Sequence, residues 1–318
     1  MLPKIILNLT GLLLIGEATT LLYIGGIAKI AVLTGISCFL IPELAALSYD
    51  VFTRPTGTWA KAPFLLIVTP LLTAVFGLLI EQYLGYGVGS ILLSTSLALL
   101  VIKLLNSPIA PAIPAGLLPI VLEEKSWWYP AAILFGTSIL VLGLYIYKRT
   151  FSELIASQKN NLTNQIDDIV EQPPKQYTWL PFFIVFLLAD VYLAKLTGLR
   201  FIMFPPLIVI AFEMFAHSDL CPWVAKPVFL VIACVLVATV GVSVMMTLGN
   251  HPVSVMIVMA VAMFIIRSFR LHAPPVAAIG LLPFVIDHPD FRFPLSVSAG
   301  TVLLVGTFYI YRSFYLKK

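Results

Sequence analysis

Charged residues are scarce in this chain, and their scarcity excludes a soluble globular fold. Only 11% of the 318 residues are Asp, Glu, Lys or Arg, whereas 60% are hydrophobic. A soluble chain of this size carries about 25% charged residues. So few polar side chains cannot cover a globular surface, and lipid must therefore cover much of it. The composition predicts an all-α polytopic membrane protein with the lipid bilayer as a partner.

The chain also lacks the motifs of common catalytic and cofactor sites. It contains no HExxH, Walker-type loop, GxSxG or clustered set of His, Cys and Asp. Its three cysteines, Cys38, Cys221 and Cys234, show neither paired nor metal-ligand spacing. We therefore expect no enzyme activity, metal or cofactor. The excess of Lys and Arg is typical of cytoplasmic loops, and we expect no nucleic-acid partner.

What the sequence does contain is an internal repeat at a shift of 164 residues. Trp59-Ala-Lys-Ala-Pro63 resembles Trp223-Val-Ala-Lys-Pro227, and an ungapped alignment from Trp59 to Phe151 gives 25 identities in 93 pairs. Apolar helices match one another by chance, but shared Pro and Gly without a gap are hard to obtain that way. The repeat predicts a first transmembrane half at 1–150, a polar cytoplasmic linker at 151–178 and a second transmembrane half at 179–318.

Each half divides into six apolar segments, most of them close to the 20 residues or so that span a bilayer core. They are 5–24, 27–48, 62–80, 84–105, 107–122 and 128–147, then 179–195, 200–216, 227–246, 252–269, 272–286 and 293–311. If all cross and the N-terminus is inside, fourteen of the nineteen Lys and Arg lie inside. This predicts parallel repeats in the cell membrane with both termini cytoplasmic. A fifth segment that dips in and returns would instead invert the halves.

The fifth segment of each half is short and broken by proline. Proline removes an amide donor and blocks the preceding turn, and freed backbone groups in a membrane need protein or cavity water as partners. A helix restarting after Pro111 or Pro275 would point its N–H groups into the protein. Broken segments at corresponding places in two halves indicate a transport site. The alternative is a pair of kinked packing helices without a ligand.

These breaks define the predicted substrate-binding residues. Their helix N-termini would supply donors to a small anion, and the basic residues Lys103, Arg267 and Arg270 just before them would raise its local concentration. The imidazole of His272 would donate to the anion or titrate near neutral pH. The alternatives are plain cytoplasmic anchoring for the basic residues and a satisfied loop histidine. The predicted set is Lys103, Asn106, Ser107, Pro111, Ala112, Arg270, His272, Pro274, Pro275 and Val276.

Two acids, Glu17 and Asp190, lie midway along the first segment of their halves. An ionisable group at that depth is costly and usually faces a cavity or a partner. Both are therefore candidates for proton coupling. The alternative is a protonated acid that bonds a neighbouring helix.

Aromatic residues concentrate at the ends of the segments. Trp and Tyr at such positions are typical of the membrane–water interface. The pattern predicts an interfacial belt made of Trp59, Trp127, Trp128, Tyr129, Tyr145, Tyr147, Trp223, Tyr309, Tyr311 and Tyr315.

The run Arg270-Leu-His-Ala-Pro-Pro-Val-Ala-Ala-Ile-Gly-Leu-Leu-Pro283 resembles the signature of the HPP family of integral membrane proteins, named for a His-Pro-Pro motif followed by small residues. The preceding loop, 218–227, resembles the Ser/Pro-rich loop of the same family. The similarity covers about 200–310 and, through the repeat, 36–146. This chain departs from the family pattern at Ala273, which separates His from Pro-Pro, and at Val228, where the family's Arg is expected. The resemblance implies a helical membrane protein, in a family of which some members are associated with nitrite transport.

These observations predict a membrane permease for a small solute, an anion such as nitrite, bound at the paired helix breaks. The alternative function is that of a non-transporting scaffold or partner subunit that packs through Gly- and Ala-rich helix faces. A permease requires a wet cavity around Pro111 and Pro275, whereas a scaffold requires a filled centre. Association into a homo-oligomer is compatible with both.

Overall fold

The computed structural model of the protein describes residues 2–156, 168–174 and 176–315. These residues form helices and connecting loops, with no strand among them. The prediction of an all-α protein is confirmed. The helices are α1 (Leu2–Thr34), α2 (Glu43–Thr53), α3 (Pro63–Leu84), α4 (Val88–Leu104), α5 (Ala112–Leu122), α6 (Trp128–Thr150), α7 (Ser152–Ala156), α8 (Leu180–Thr197), α9 (Pro205–Ala216), α10 (Pro227–Leu248), α11 (Pro252–Phe269), α12 (Pro275–Leu281) and α13 (Arg292–Tyr315).

Seven of these helices are long and apolar enough to cross a membrane. They are α1 from Gly11 onward, α3, α6, α8, α10, α11 and α13. Large apolar side chains on them, such as Leu22, Phe64 and Phe264, are mostly exposed, as lipid contact requires. Length and composition thus identify a multi-pass membrane protein.

Four shorter helices lie inside the bundle formed by the long ones. Helices α2, α5, α9 and α12 have 11, 11, 12 and 7 residues, and nearly all of their residues are buried. An 11-residue helix is about 16 Å long, roughly half the thickness of a bilayer core. The second and fifth segments of each half therefore combine a short helix with non-helical chain, and protein surrounds them.

The contacts between the two halves come in pairs that are related by the repeat. Helix α5 packs on α9, and α12 packs on α2. Likewise α1 packs on α11, and α4 packs on α8. Because α8–α13 follow the order of α1–α6, each of these contacts between the halves has a counterpart with the roles exchanged.

Loop contacts define two faces of the bundle. On the linker face, formed by 54–62, 148–156 and 168–179, the Lys148 ammonium donates to the carbonyl oxygen of Ala60 at 2.7 Å. On the far face, formed by 35–42, 84–88 and 122–128, Gln82 Nε2 donates to the carbonyl oxygen of Lys125 at 2.8 Å. The fifth segment of the first half runs between these faces, because Ser107 lies 2.8 Å from Thr69 near the start of α3.

Glycine permits the closest backbone approach within each half. A Cβ atom placed on Gly77 of α3 would clash with the carbonyl oxygen of Gly116 on α5. A Cβ atom on Gly241 of α10 would clash in the same way with the carbonyl oxygen of Gly280 on α12. These pairs are related by the 164-residue shift, so the same two positions of each half bring the buried short helix against a long one.

The predicted boundary between the first and second segments is wrong. The prediction ended one segment at 24 and began the next at 27, but α1 continues to Thr34 and α2 begins only at Glu43. A Cβ on Gly25 would come within 2.6 Å of the Met256 sulfur on α11. Gly25 therefore serves a helix contact rather than a turn, and Lys29 lies within α1 instead of an outer loop.

The predicted linker is only partly described. Residues 152–156 form α7, and residues 168–174 and 176–178 lie on the linker face. The remainder of the surface helix predicted over 151–170, from 157 to 167, lies outside the described residues.

We expect Gly77→Ala to lower the free energy of unfolding by about 1–3 kcal/mol, because the added methyl overpacks the α3–α5 contact. Thermal unfolding of the purified protein in detergent measures this. Gly26→Ala is the matched control, since a Cβ there meets nothing within 4 Å and Ala favours helix. Equal stability of the two variants would show that the α3–α5 approach is not tight.

Candidate functional site

The helix breaks are closely packed in this structure. Ala112, Val276 and their neighbours Ile113 and Ala277 are fully buried. Their amides already have partners within the chain. The amide of Ala112 donates to the carbonyl of Ile109 at 3.1 Å, and that of Val276 donates to the carbonyl of Ala273 at 3.1 Å. The amides of Ile113 and Ala277 likewise donate to Ala110 and Pro274, each at 3.0 Å. These i→i+3 hydrogen bonds engage the backbone amides that the sequence predicted to bind an anion.

Two polar residues before α5 shape the first break. Ser107 is buried, and its hydroxyl accepts the amide of Ile109 at 3.2 Å while lying 2.8 Å from the hydroxyl of Thr69. Asn106 is exposed and has φ +47°, a left-handed conformation that Asn tolerates. Ser107 therefore stabilises the broken backbone, and Asn106 forms the turn that leads into it.

The basic residues of the predicted site lie on the linker face and are exposed. The Lys103 ammonium lies 4.7 Å from the centre of the Tyr177 ring. Arg270 is exposed with φ +51°, and its carbonyl accepts from the Lys226 ammonium at 3.1 Å. Their charges therefore face solvent beside the breaks rather than inside them.

The two acids predicted for proton coupling lie in different surroundings. Glu17 on α1 forms an ion pair at 3.5 Å with Arg267 on α11, across the contact between the halves. Asp190 on α8 is fully buried, and neither of its carboxylate oxygens has a hydrogen-bond partner among the described residues. Helix α8, which carries Asp190, packs on α4 of the other half. The structure therefore keeps Glu17 and Asp190 apart.

Further buried acids belong to the bundle. Five acids outside the predicted site are at most 7% exposed: Glu43, Asp50, Glu81, Glu171 and Glu213. The Glu43 carboxylate oxygens have no hydrogen-bond partner among the described residues. Burial of acids near segment ends follows from the short helices α2 and α9, which lie inside the bundle.

Arg54 organises the largest group of charges that the structure describes. One guanidinium nitrogen donates to Asp50 Oδ1 at 2.9 Å and also to Glu171 Oε1, and the other donates to Asp168 Oδ1 at 2.9 Å. The Arg54 and Glu171 side chains are 12% and 6% exposed. Burial, followed by the nearby Asp50 charge, raises the pKa of the Glu171 carboxyl well above its usual range.

A small cavity lies beside this charge cluster, where the halves and the linker meet. Its volume of about 10 Å³ suits a single water molecule. The cavity brings His272 and Pro274 of the predicted site next to residues that the sequence did not connect with them. Its other lining residues are Arg54, Trp59, Val170, Glu171, Glu213, Pro222 and Trp223.

Part of the predicted aromatic belt is wrong. Trp127, Trp128, Tyr145 and Tyr309 are more than half exposed, as a belt requires. Five others are at most 4% exposed because they fill space between helices at the faces: Trp59, Tyr129, Tyr147, Trp223 and Tyr311. The side chain of Tyr315 lies outside the described residues.

A second cavity, of about 700 Å³, opens on the linker face between 169–179 and the end of α9. His217 lines it, and burial lowers the pKa of its imidazole. No cluster of three or more His, Cys, Asp or Glu side chains suited to a metal ion occurs in the described part of the chain.

We expect Arg54→Met to lower the free energy of unfolding by about 3–5 kcal/mol, because it leaves Asp50 and Glu171 buried without their cation. Lys61→Met is the control. Its ammonium is largely exposed and lies 3.4 Å from Asp168, so its loss should cost at most about 1 kcal/mol.

Chemical denaturation in detergent measures both changes. Adding Glu171→Gln to Arg54→Met should recover part of the loss. If Arg54→Met and Lys61→Met are equally mild, the Arg54 network does not stabilise the fold.

Comparison of the chain with protein-family models, with curated proteins and with solved structures gives no match.

Proposed function

We propose that this protein is a membrane permease for a small solute, an anion such as nitrite, that crosses between the two halves. The observation that carries the proposal is the Asp190 carboxyl group. It is fully buried in a membrane bundle, on the helix that contacts α4 of the other half, and no described residue bonds either oxygen. An ionisable group at such depth is costly and marks ion or proton pathways in transporters. A purely structural helix gains nothing from it.

The proposed architecture consists of two parallel six-segment repeats related by an axis along the membrane normal. The exchanged contacts α5–α9 with α12–α2, and α1–α11 with α4–α8, support this arrangement. The equivalent glycine contacts of the two halves support it as well. In this proposal the linker face and both termini are cytoplasmic, and the bias of Lys and Arg supports that orientation.

In this proposal the structure corresponds to a closed conformation. The breaks at Pro111 and Pro275 are packed, so a solute passes only when the halves move apart along the α5–α9 and α12–α2 contacts. The amides at the breaks donate to carbonyl oxygens of the chain itself. In this proposal the exposed cations Lys103 and Arg270 therefore attract the anion. Asp190 would take up and release the coupled proton, whereas the ion pair of Glu17 with Arg267 would hold the halves together.

The same close packing favours a second function, that of a membrane scaffold or partner subunit. A scaffold needs no route through its centre, and the fully buried break residues fit that requirement. In this alternative the prolines shape two packing helices, and the chain carries no solute.

The test is uptake of nitrite, nitrate, formate and chloride into liposomes that hold the purified protein, with and without an imposed pH gradient. We expect selective uptake by the wild type. Asp190→Asn, which keeps the side-chain shape, should lose the stimulation by the pH gradient. Asp287→Asn is the control because Asp287 is an exposed acid in the loop before α13.

Ala112→Val tests the path of the solute separately from its coupling to the proton. A larger side chain at the packed break should slow uptake with and without the gradient. Absence of uptake of all four anions by folded wild-type protein would reject the anion permease and favour the scaffold. Gradient-driven uptake that survives in Asp190→Asn would reject its role in coupling.

A further inference from the structure

The C-terminal end of α5, on the far face, is held by a residue of the opposite half. Glu123 ends the helix with φ +56°, and the next amide, that of Glu124, donates to the carbonyl oxygen of Pro119 at 2.8 Å. The carbonyl oxygen of Ile120 accepts from Arg200 Nη2 at 3.0 Å. Arg200 belongs to the second half, in the short 3₁₀ helix that follows α8. It therefore caps a helix of the first half, and its positive charge suits the negative end of that helix.

The same guanidinium group makes two more contacts with the first half. Arg200 Nη1 lies 3.1 Å from Glu123 Oε1. The guanidinium carbon lies 4.4 Å from the centre of the Tyr86 ring, in the turn between α3 and α4. Arg200 Nε is buried and has no acceptor among the described residues. Arg200 thus joins the halves through three groups of the first half, in an arrangement that does not satisfy its whole guanidinium.

The equivalent end in the second half has a different cap. Phe284 is the equivalent of Ile120 at the 164-residue shift. Its carbonyl oxygen accepts from Asn250 Nδ2 at 3.5 Å, so that a neutral donor of the same half caps this end. Asn250 is in turn the equivalent of Tyr86. The charged cap that joins the halves is therefore a feature of α5 that the repeat alone does not require.

We propose that Arg200 binds the transported anion at the far face, and that the anion opens this face by replacing Glu123 and Ile120 on the guanidinium group. This inference rests on the proposed permease function and deepens it. One carboxylate oxygen and one carbonyl oxygen now hold Arg200 against α5. A small oxyanion offers acceptors of the same kind, so the anion and the end of α5 compete for the same N–H groups.

The exposure of the ion pair allows this exchange. The Glu123 side chain is 59% exposed and that of Arg200 is 28% exposed, so water and ions reach the pair from the far face. Ion pairs this exposed stabilise a fold little, because water solvates both partners when they separate. An anion therefore needs only a modest preference for the released guanidinium to shift the equilibrium towards the open arrangement.

The shape of the guanidinium group selects the class of anion. Its planar fork presents two parallel N–H groups, which match two oxygens on one edge of a planar anion. Nitrite, nitrate and formate each have such an edge, whereas chloride is a single sphere. We therefore expect Arg200 to favour planar oxyanions over halides.

Another ion pair between the halves lies towards the linker face. Glu17 on α1 pairs at 3.5 Å with Arg267, in the last turn of α11 and three residues before Arg270 of that face. Release of Arg200 at the far face leaves this pair intact. The far face can then open while the halves stay joined towards the linker face, as alternating access requires.

Spin labels on the far face measure the opening in the purified full-length protein in detergent. The label sites are Tyr83→Cys near the end of α3 and Leu196→Cys near the end of α8, which are 83% and 65% exposed. The three native cysteines are replaced by alanine. Nitrite replaces chloride at constant ionic strength while pulsed EPR records the distance between the labels. We expect a population with a longer distance to grow as nitrite replaces chloride.

Two variants with opposite expected effects test the competition. Arg200→Gln removes the partner of the anion, so the nitrite concentration at half response should rise about tenfold or more. Glu123→Gln removes the competing carboxylate and should lower that concentration about two- to fivefold. An ion pair with a purely structural role predicts a shift in the same direction for both variants, because each removes the same pair. Lys125→Gln, at an exposed cation of the same loop, is the control and should respond as the wild type.

An unchanged nitrite response in Arg200→Gln would overturn the proposal, as would a shift in the same direction in both variants. Because Glu123 is exposed, its variant decides the question if Arg200→Gln does not fold. No transport is measured here, so the result is separate from the uptake assay. Uptake that Arg200→Gln retains in full overturns the role of Arg200 and leaves the permease. A nitrite response that requires Arg200, without uptake by the wild type, supports the anion site and rejects the permease.

Discussion

Backbone hydrogen bonding inside an apolar bundle is the constraint on which the rest of this structure depends. Proline-rich segments cannot complete a spanning helix, and lipid offers no hydrogen-bond partner to the backbone N–H and C=O groups that they leave unpaired. The chain responds with i→i+3 bonds at the starts of α5 and α12 and with the Ser107 hydroxyl. Irregular backbone of this kind must be enclosed by protein. The long helices therefore surround the short ones, and Gly77 and Gly241 allow the necessary approach.

Polar groups at the two faces of the bundle also find partners within the chain, and an arginine provides them at each face. On the linker face Arg54 gathers carboxylates from α2 and the linker. On the far face Arg200 of the second half donates to the carbonyl oxygen of Ile120 at 3.0 Å and pairs with Glu123 at 3.1 Å, and its guanidinium lies over the Tyr86 ring. Arginine suits such positions because its planar fork serves several acceptors at once. On the far face Arg200 thus joins the two halves, and on the linker face Arg54 joins the first half to the linker.

Much of the helical pattern could be predicted from the sequence, because local chemistry decides it. Pro63, Pro227 and Pro252 begin helices, where a missing amide costs nothing.

Other features depended on tertiary contacts that no local pattern reveals. The helix α1 continues through Gly25 and Gly26, and Gly25 packs against Met256 of α11. Trp59 and Trp223 are buried because the halves close over them, and the 164-residue shift between them was the available signal. The amides at the breaks have loop carbonyls as partners, which depends on the exact backbone turn. Asp50 and Glu171 came together only through Arg54, from segments far apart in the chain.

The exchanged contacts between the halves have a consequence for assembly. The surface of α2 that covers α12 has its equivalent in α9, which covers α5. A single half would therefore expose the apolar surface that the other half covers, and would have to find a partner half by diffusion in the membrane. Joining the halves in one chain turns this encounter into an intramolecular step at a high effective concentration. It also allows the two halves to differ, since each needs to fit only one partner. Arg54 and Ser218, which occupy equivalent positions of the repeat, illustrate that freedom.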